Sequence, residues 1–323
     1  MRLSVLATLA SAALSQAGCF KDACSKYSFN LQAASNADWM GKIPDDVLVS
    51  DLSIPGTHNS MTNLLENRIL LQCQMSSLKQ QLHAGIRYID VTGRWKKNKI
   101  RVYNGPSRTT FDLDEVFTTA LDFLDEYSKE GLILRIHKDF WPSDMNKNFE
   151  DKVADKYLAS DSELGQRIGS RLYILPGPSQ TWVPRVGELR GKIMILQDFP
   201  TTVPNRFGIP WDSDRLVVSD WKDTLGRIGI SAKWSVYESK ITAASKETEN
   251  KLHIVHTAVG LGATPYKAVA GKDVTNTGMN DRLGEFLSAS DIGRTGIIAM
   301  DFPGKELIGE ILRRNERLQT PKV

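Results

Sequence analysis

Residues 53–60 read SIPGTHNS: a strand-like approach, a Pro-Gly turn, then a histidine beside an asparagine. An apolar run that stops at a Pro-Gly break marks the end of a buried strand. A side chain set just past that end faces whatever cavity the fold encloses. His58 is therefore the first candidate for chemistry, and the rest of the chain has to say what the cavity does.

Working outward, short apolar runs rich in β-branched residues recur along the chain. DLSI (51–54), IRYID (86–90), IRVY (100–103) and LILRIH (132–137) are followed by KIMILQ (192–197), LVVSD (216–220), LHIVH (252–256) and GIIAMD (296–301). Runs apolar on both faces belong to parallel strands covered by helices, and this number of them predicts an irregular α/β (β/α)8 barrel of the TIM type in a single domain. Helical patterns fill gaps at 75–85, 113–131 and 305–318, the first ending on a Gly C-cap signal. The stretches 141–192 and 200–214 read as loop-rich.

With 323 residues, 41% of them hydrophobic, the chain can bury a large core. Lys and Arg total 41 against 38 Asp and Glu, a balance of +3 that lacks the basic stripe of a phosphate-backbone binder, so no nucleic-acid partner is expected. Arg2, the apolar run from Leu3 to Leu14 and the small-residue ending Ser15-Gln16-Ala17 read as a secretory signal peptide over 1–17, with the barrel over 18–323 and a secreted, extracellular product. Three cysteines fit an oxidising compartment with one disulfide, for which the Cys19 to Cys24 loop is short enough; Cys73 is left without a role. No later segment approaches the ~20 apolar residues of a membrane span.

Most of the candidate strands end in a polar residue: His58, Asp90, Asn104, His137, Asp198, Asp220, His256 and Asp301. Parallel barrel strands share one carboxyl face, so these side chains are expected to converge on a single mouth. A histidine oriented by a carboxylate is the minimum for general base work, and His58 with Asp301 or Asp90 meets it. No HExxH or CxxC pattern is present, and His253 and His256, three apart on a strand, point to opposite faces, so no metal site is expected from the pattern.

The segments SIPGTHNS (53–60), QQLHAGIRYIDVTGR (80–94), VYNGP (102–106), ELRGKIMIL (188–196) and GIIAMDF (296–302) resemble the phosphatidylinositol-specific phospholipase C X-domain family, especially its small secreted bacterial and fungal members. The resemblance implies a distorted (β/α) barrel and a phosphoric diester hydrolase that makes the inositol 2-hydroxyl attack its own phosphate. It implies that His58 is the general base, Asp301 the aspartate paired with it and Asp90 the acidic residue after the second strand. Arg94 and Asp220 are the candidates for substrate binding.

The second half of that machinery is altered. Asn104 stands where bacterial members carry the histidine that protonates the leaving group, Asn59 replaces that acid's supporting aspartate, and Thr92 replaces a phosphate-clamping arginine. A carboxamide is no proton donor near neutral pH, and general acid catalysis contributes about 10²- to 10⁴-fold, so weakened turnover is expected. His137 is a candidate for a relocated acid. The calcium-dependent branch writes His-Asn as His58-Asn59 does, which makes calcium on Asn59 and Asp90 an alternative to a site without a cofactor. A phospholipid or related phosphodiester is the expected substrate, with transient contact to a membrane surface. The competing reading is a non-catalytic secreted barrel that binds a phosphorylated headgroup or a partner.

Overall fold

The computed structural model describes residues 18–139, 149–158, 161–175, 183–203, 206–220, 229–259, 264–271 and 277–319. The expected signal peptide lies outside them. The chain opens on a hairpin, β1 (Gly18–Phe20) and β2 (Ala23–Ser25), in which Cys19 and Cys24 are directly opposed and disulfide-bonded. Parallel strands follow, alternating with helices: β3 (Ser53–Thr57), α1 (Leu78–Ala84), β4 (Tyr88–Lys96), then, after an antiparallel arm β5 (Lys99–Asn104) and β6 (Ser107–Asp112), α2 (Leu113–Glu126) and β7 (Leu132–Lys138). Next come α3 (Phe149–Val153), α4 (Glu163–Arg171), α5 (Val186–Leu189), β8 (Ile193–Asp198), β9 (Ile209–Pro210) and β10 (Leu216–Ser219). The chain closes with α6 (Ile230–Lys246), β11 (Leu252–His256), α7 (Pro265–Ala270), α8 (Met279–Ala289), β12 (Gly296–Met300) and α9 (Lys305–Arg313).

The sheet runs β10-β11-β12-β3-β4-β7-β8-β9, every step parallel. It curls into an irregular (β/α) barrel of the expected class, and its first and last strands in sequence, β3 and β12, lie side by side. Among the described residues no ladder joins β9 to β10, so the barrel is open there rather than between the chain ends.

Two strand assignments change. IRVY is no barrel strand: β5 pairs antiparallel with β4, and only Lys97 and Asn98 connect them, with φ of 51° and 57°. Two successive left-handed residues are what a tight hairpin requires, whereas a parallel neighbour needs a crossover of roughly a dozen residues. Its place in the barrel is taken by Ile209–Pro210, inside the stretch expected to be loop; two residues are too few to show a period. The 141–192 stretch likewise holds α3, α4 and α5 among its described residues, α4 being started by the Ser162 side chain accepting from Gly165 N.

Alternation along each strand divides the core. Ile54, Tyr88, Ile133, Met194, Leu196, Leu252, Ile254, Ile297 and Ala299 pack together inside the barrel. Their neighbours Ile89, Val91, Leu134, Ile136 and Ile195 meet α2 on one side, and Val255, Ile298 and Met300 meet α6, α8 and α9 on the other. Helix α1 starts on a reciprocal capping box of Ser77 and Gln80 and ends, as its C-cap signal predicts, at Gly85 with φ 113°.

At the opposite end from the mouth, Arg87 and Glu130 are buried together. Arg87 Nε and Nη2 donate to Glu130 Oε2 at 2.9 and 2.7 Å, and its other N–H groups reach the carbonyls of Leu82, Ile86 and Ala37. Glu130 also accepts from Met40 N and Gly41 N. One ion pair thus ties the N-terminal segment to the α1–β4 and α2–β7 connections. Arg87→Met leaves a buried carboxylate without its cation and is expected to cost about 3–5 kcal/mol in urea denaturation; a loss below about 1 kcal/mol would show that the pair is not a structural tie.

Candidate functional site

The interior alternation continues past the apolar core into the mouth. Two residues beyond Tyr88 is Asp90; beyond Ile133 come Arg135 and His137; beyond Leu196 comes Asp198; beyond Ile254, His256; beyond Ala299, Asp301. Along β3 the series is Ile54, Gly56, His58. Gly56 is required: a Cβ there would lie 2.8 Å from Tyr88 Cβ. The strands therefore carry their polar ends to one face, as expected.

His58 sits where β3 and β12 end together. Its backbone N–H donates to Met300 O at 3.0 Å, and Gln74 Nε2 donates to both His58 O and Met300 O at 2.8 Å. The ring donates Nδ1–H to Asp301 Oδ1 at 2.8 Å, and Asn59 Nδ2 donates to Nε2 at 2.9 Å. That tautomer leaves Nε2 as an acceptor, taken here by the Asn59 amide, and a quarter of the His58 side chain is exposed. Burial pushes the imidazole down, but the Asp301 carboxylate outweighs it, so the ring titrates well above its ordinary 6.5.

Asn59 adopts φ 45°, a left-handed turn that asparagine tolerates, and this aims its N–H at Asp90 Oδ2, 3.3 Å away. Asp90 Oδ1 accepts from Arg135 Nη1 at 3.0 Å. Burial raises the Asp90 carboxyl, yet Arg135, His256 and His58 more than reverse this and hold it at about 2. Arg135 also donates to Asp198 through Nε and Nη2, and its guanidinium lies 4.2 Å from the Trp211 ring centroid. Trp211 is thus a half-buried platform for that cation.

His256 Nε2 lies 3.1 Å from the Tyr88 hydroxyl, and burial drives this imidazole down to about 3, so it is neutral. His253, as its opposite parity requires, turns away and pairs with Glu247. His137 Nδ1 donates to Asp198 Oδ2 at 2.7 Å. Asn104 arrives on the β5 arm, on the other side of β4 from His137, and its Nδ2 donates to Leu71 O at 2.8 Å.

Cys73, the residue without a role, lies between the two asparagines: Asn59 Nδ2 is 3.8 Å and Asn104 Nδ2 3.6 Å from its sulfur. Burial pushes this thiol up to about 11. The structure therefore brings His58, Asp301, Asp90, Asn59 and Asn104 together. Arg94 lies four residues beyond Asp90, about 13 Å along the strand, and its guanidinium is held by Asp139, by Gly105 O and by the Tyr103 ring, on either side of Asn104. Asp220 follows β10 at an interior-facing position and is half-buried.

Sequence reasoning missed Arg135, Tyr88 and Cys73. Parity was the available signal for the first two, since both share the face of Ile133 and Asp90; for Cys73 there was none. The candidate calcium ligands do not make an oxygen cage among the described residues. Asn59 and Asp90 offer too few side-chain oxygens between them for Ca²⁺, which takes about six to eight.

Residues 49–198 match the family described as phosphatidylinositol-specific phospholipase C, X domain. The 1-phosphatidylinositol phosphodiesterase of Listeria monocytogenes is 28% identical over 300 residues, spanning 88% of this chain and 86% of that protein. The protein of the same name from Staphylococcus aureus is 20% identical over 308 residues, 87% of this chain and 95% of its own. The solved phosphatidylinositol-specific phospholipase C of L. monocytogenes superposes with a TM-score of 0.70 at 28% identity, covering 88% of this chain and 100% of that one. A variant of the S. aureus enzyme, at 18% identity, has the same fold with a TM-score of 0.69 over 89% of this chain and 100% of its own. The motifs, the barrel and these matches agree: residues 49–198 match the phosphatidylinositol-specific phospholipase C X domain, and most of the chain is similar to bacterial enzymes of that name.

Proposed function

We propose that this protein is a phospholipase C-like phosphodiesterase that cleaves phosphatidylinositol, with His58 as the general base. The observation that carries the reading is the His58–Asp301 hydrogen bond at the barrel mouth, which makes Nε2 the basic nitrogen once substrate displaces the Asn59 amide. In this mechanism Nε2 takes the proton of the inositol 2-hydroxyl while that oxygen attacks phosphorus, and the Asp301 carboxylate stabilises the imidazolium as it forms. A cyclic phosphodiester results, and the diacylglycerol oxygen leaves. That alkoxide needs a proton, which the Asn104 amide does not supply.

His58→Asn keeps a hydrogen-bond donor for buried Asp301 and is expected to abolish turnover with a stability change of about 1 kcal/mol or less; retained turnover would remove His58 from the mechanism. The base must be neutral to act, so the rate rises as pH rises through its pKa, and the acid limb of kcat/KM belongs above pH 6.5. Asp301→Asn removes the carboxylate that opposes burial, so the limb should move down and the maximal rate should fall. A limb that stays in place would assign it to another group.

The missing acid separates substrates by leaving group. A soluble inositol phosphodiester with an activated leaving group should be cleaved far faster relative to the natural lipid than general-acid enzymes manage. Asn104→His with Asn59→Asp should raise natural-lipid turnover on the order of 10²-fold and activated-substrate turnover much less. Equal gains on both substrates would mean that protonation does not limit the wild type.

We also propose that the mouth works against a membrane surface. Leu64, Ile69 and Leu70 are 54%, 40% and 66% exposed on the segment between β3 and α1, whose Leu71 carbonyl holds Asn104. Apolar side chains bared beside a lipid-cleaving site suit an interface. Replacing Ile69 and Leu70 by serine should lower cleavage of vesicle lipid several-fold and leave a soluble analogue unaffected; equal effects on both would point to a packing role. Export of the chain is supported by the Cys19–Cys24 disulfide. N-terminal sequencing of protein from the culture medium is expected to start near Gly18, and a protein found only inside cells would refute this.

A further inference from the structure

His256 is buried, polar and unused by the proposed chemistry, yet it shares a cluster with the general base. We propose that His58, Asp90 and His256 form a binding site for a transition-metal ion of the Zn²⁺ class. One ligand atom from each lies within 4.8 Å of the others. His256 Nδ1 is 3.9 Å from Asp90 Oδ2, and the two imidazole rings stand 5.8 Å apart at 76°. Ligand atoms around Zn²⁺ are about 3.4 Å apart, so the cluster closes on an ion with shifts of about 1 Å.

Every member is gripped at its far atom. Asp301 holds His58 Nδ1 at 2.8 Å, the Tyr88 hydroxyl lies 3.1 Å from His256 Nε2, and Arg135 Nη1 donates to Asp90 Oδ1 at 3.0 Å. The atoms on the inner side are His58 Nε2, His256 Nδ1 and Asp90 Oδ2, of which Nε2 accepts from the Asn59 amide and Oδ2 from the Asn59 backbone N–H, so Asn59 is the residue an ion would displace. Outer partners that fix ring orientation and leave one nitrogen for the ion are what metal-ligating histidines have. The three ligands come from β3, β4 and β11, within one continuous parallel run, so the backbone that carries them is rigid. Two imidazoles and a carboxylate suit Zn²⁺, Cu²⁺ or Ni²⁺ rather than Ca²⁺, with water completing the shell.

A second grouping, His58 with Cys73 and Asp301, also gathers within 4.8 Å. It is the poorer site, because Asp301 is already spent on His58 Nδ1, and ligation there breaks that pair. In the preferred site the ion displaces the Asn59 amide from Nε2 and takes the lone pair that would accept the substrate proton. Metal occupancy and general-base catalysis then exclude each other. That consequence rests on the proposed function; the site itself does not.

The test uses the whole chain and Co²⁺ alone, read by its visible absorption, with Zn²⁺ as competitor. One equivalent should bind, be displaced by Zn²⁺ and show no thiolate charge-transfer band. His256→Gln should weaken binding by about 10-fold or more, and so should Tyr88→Phe, which removes only the hydroxyl; Cys73→Ser should change nothing. If His256→Gln fails to fold by circular dichroism, Tyr88→Phe carries the comparison. Absence of saturable binding, unchanged affinity in the folded variants, or a thiolate band lost in Cys73→Ser would each overturn the assignment. Zn²⁺ should inhibit turnover in proportion to occupancy, and occupied protein that still cleaves would refute the overlap with the base. If no phosphodiester is cleaved by any form, the cobalt titration still decides the site.

Discussion

The parallel ladder between β12 and β3 is the constraint on which the site depends. Five registered pairs, from Gly296 with Ser53 to Met300 with Thr57, bring the last barrel strand against the first. Both strands end at the same height, so His58 and Asp301, 243 residues apart in sequence, meet at 2.8 Å. Gln74 bonds the final carbonyls of both strands, and Phe302 N donates to Cys73 O at 2.8 Å, so the β3–α1 segment closes over the junction. A base and its orienting carboxylate on adjacent strands of one sheet need little further ordering when substrate arrives.

Around this pair the mouth is held together by charge. Asp90 and Asp198 would repel each other in a low-dielectric interior; Arg135, between them and flat against Trp211, makes their ionisation favourable. The depressed Asp90, the neutral His256 and the raised His58 are three environments within one cavity, each produced by a different balance of burial and neighbouring charge.

The altered half of the machinery is rebuilt as a packed polar cluster. Asn59 and Asn104 converge on the Cys73 thiol, and Asn104 is anchored to a carbonyl of the exposed apolar segment. Two carboxamides and a buried thiol satisfy one another's hydrogen-bonding needs, but none of them is an acid poised near neutrality. One side of the mouth holds an imidazole on a carboxylate, and the other holds two carboxamides around a thiol.

What the amino-acid sequence determined by itself was whatever is written locally. Apolar runs rich in β-branched residues marked most of the barrel strands and Gly85 the end of α1, whereas the Pro55-Gly56 pair expected to turn the chain lies inside β3, paired with Ile298 and Ala299. Convergence of the strand-end residues followed from parallel topology alone. Only the tertiary structure decided strand membership and partnership. IRVY was as apolar as any barrel strand, and a two-residue hairpin turned it outward, while Ile209–Pro210 entered the barrel because the β8 edge needed a partner. Arg135 between its carboxylates, Cys73 between its asparagines and His256 beside His58 are contacts between segments far apart in the chain. Such contacts depend on register and on which strands become neighbours, and no local period in the sequence records either.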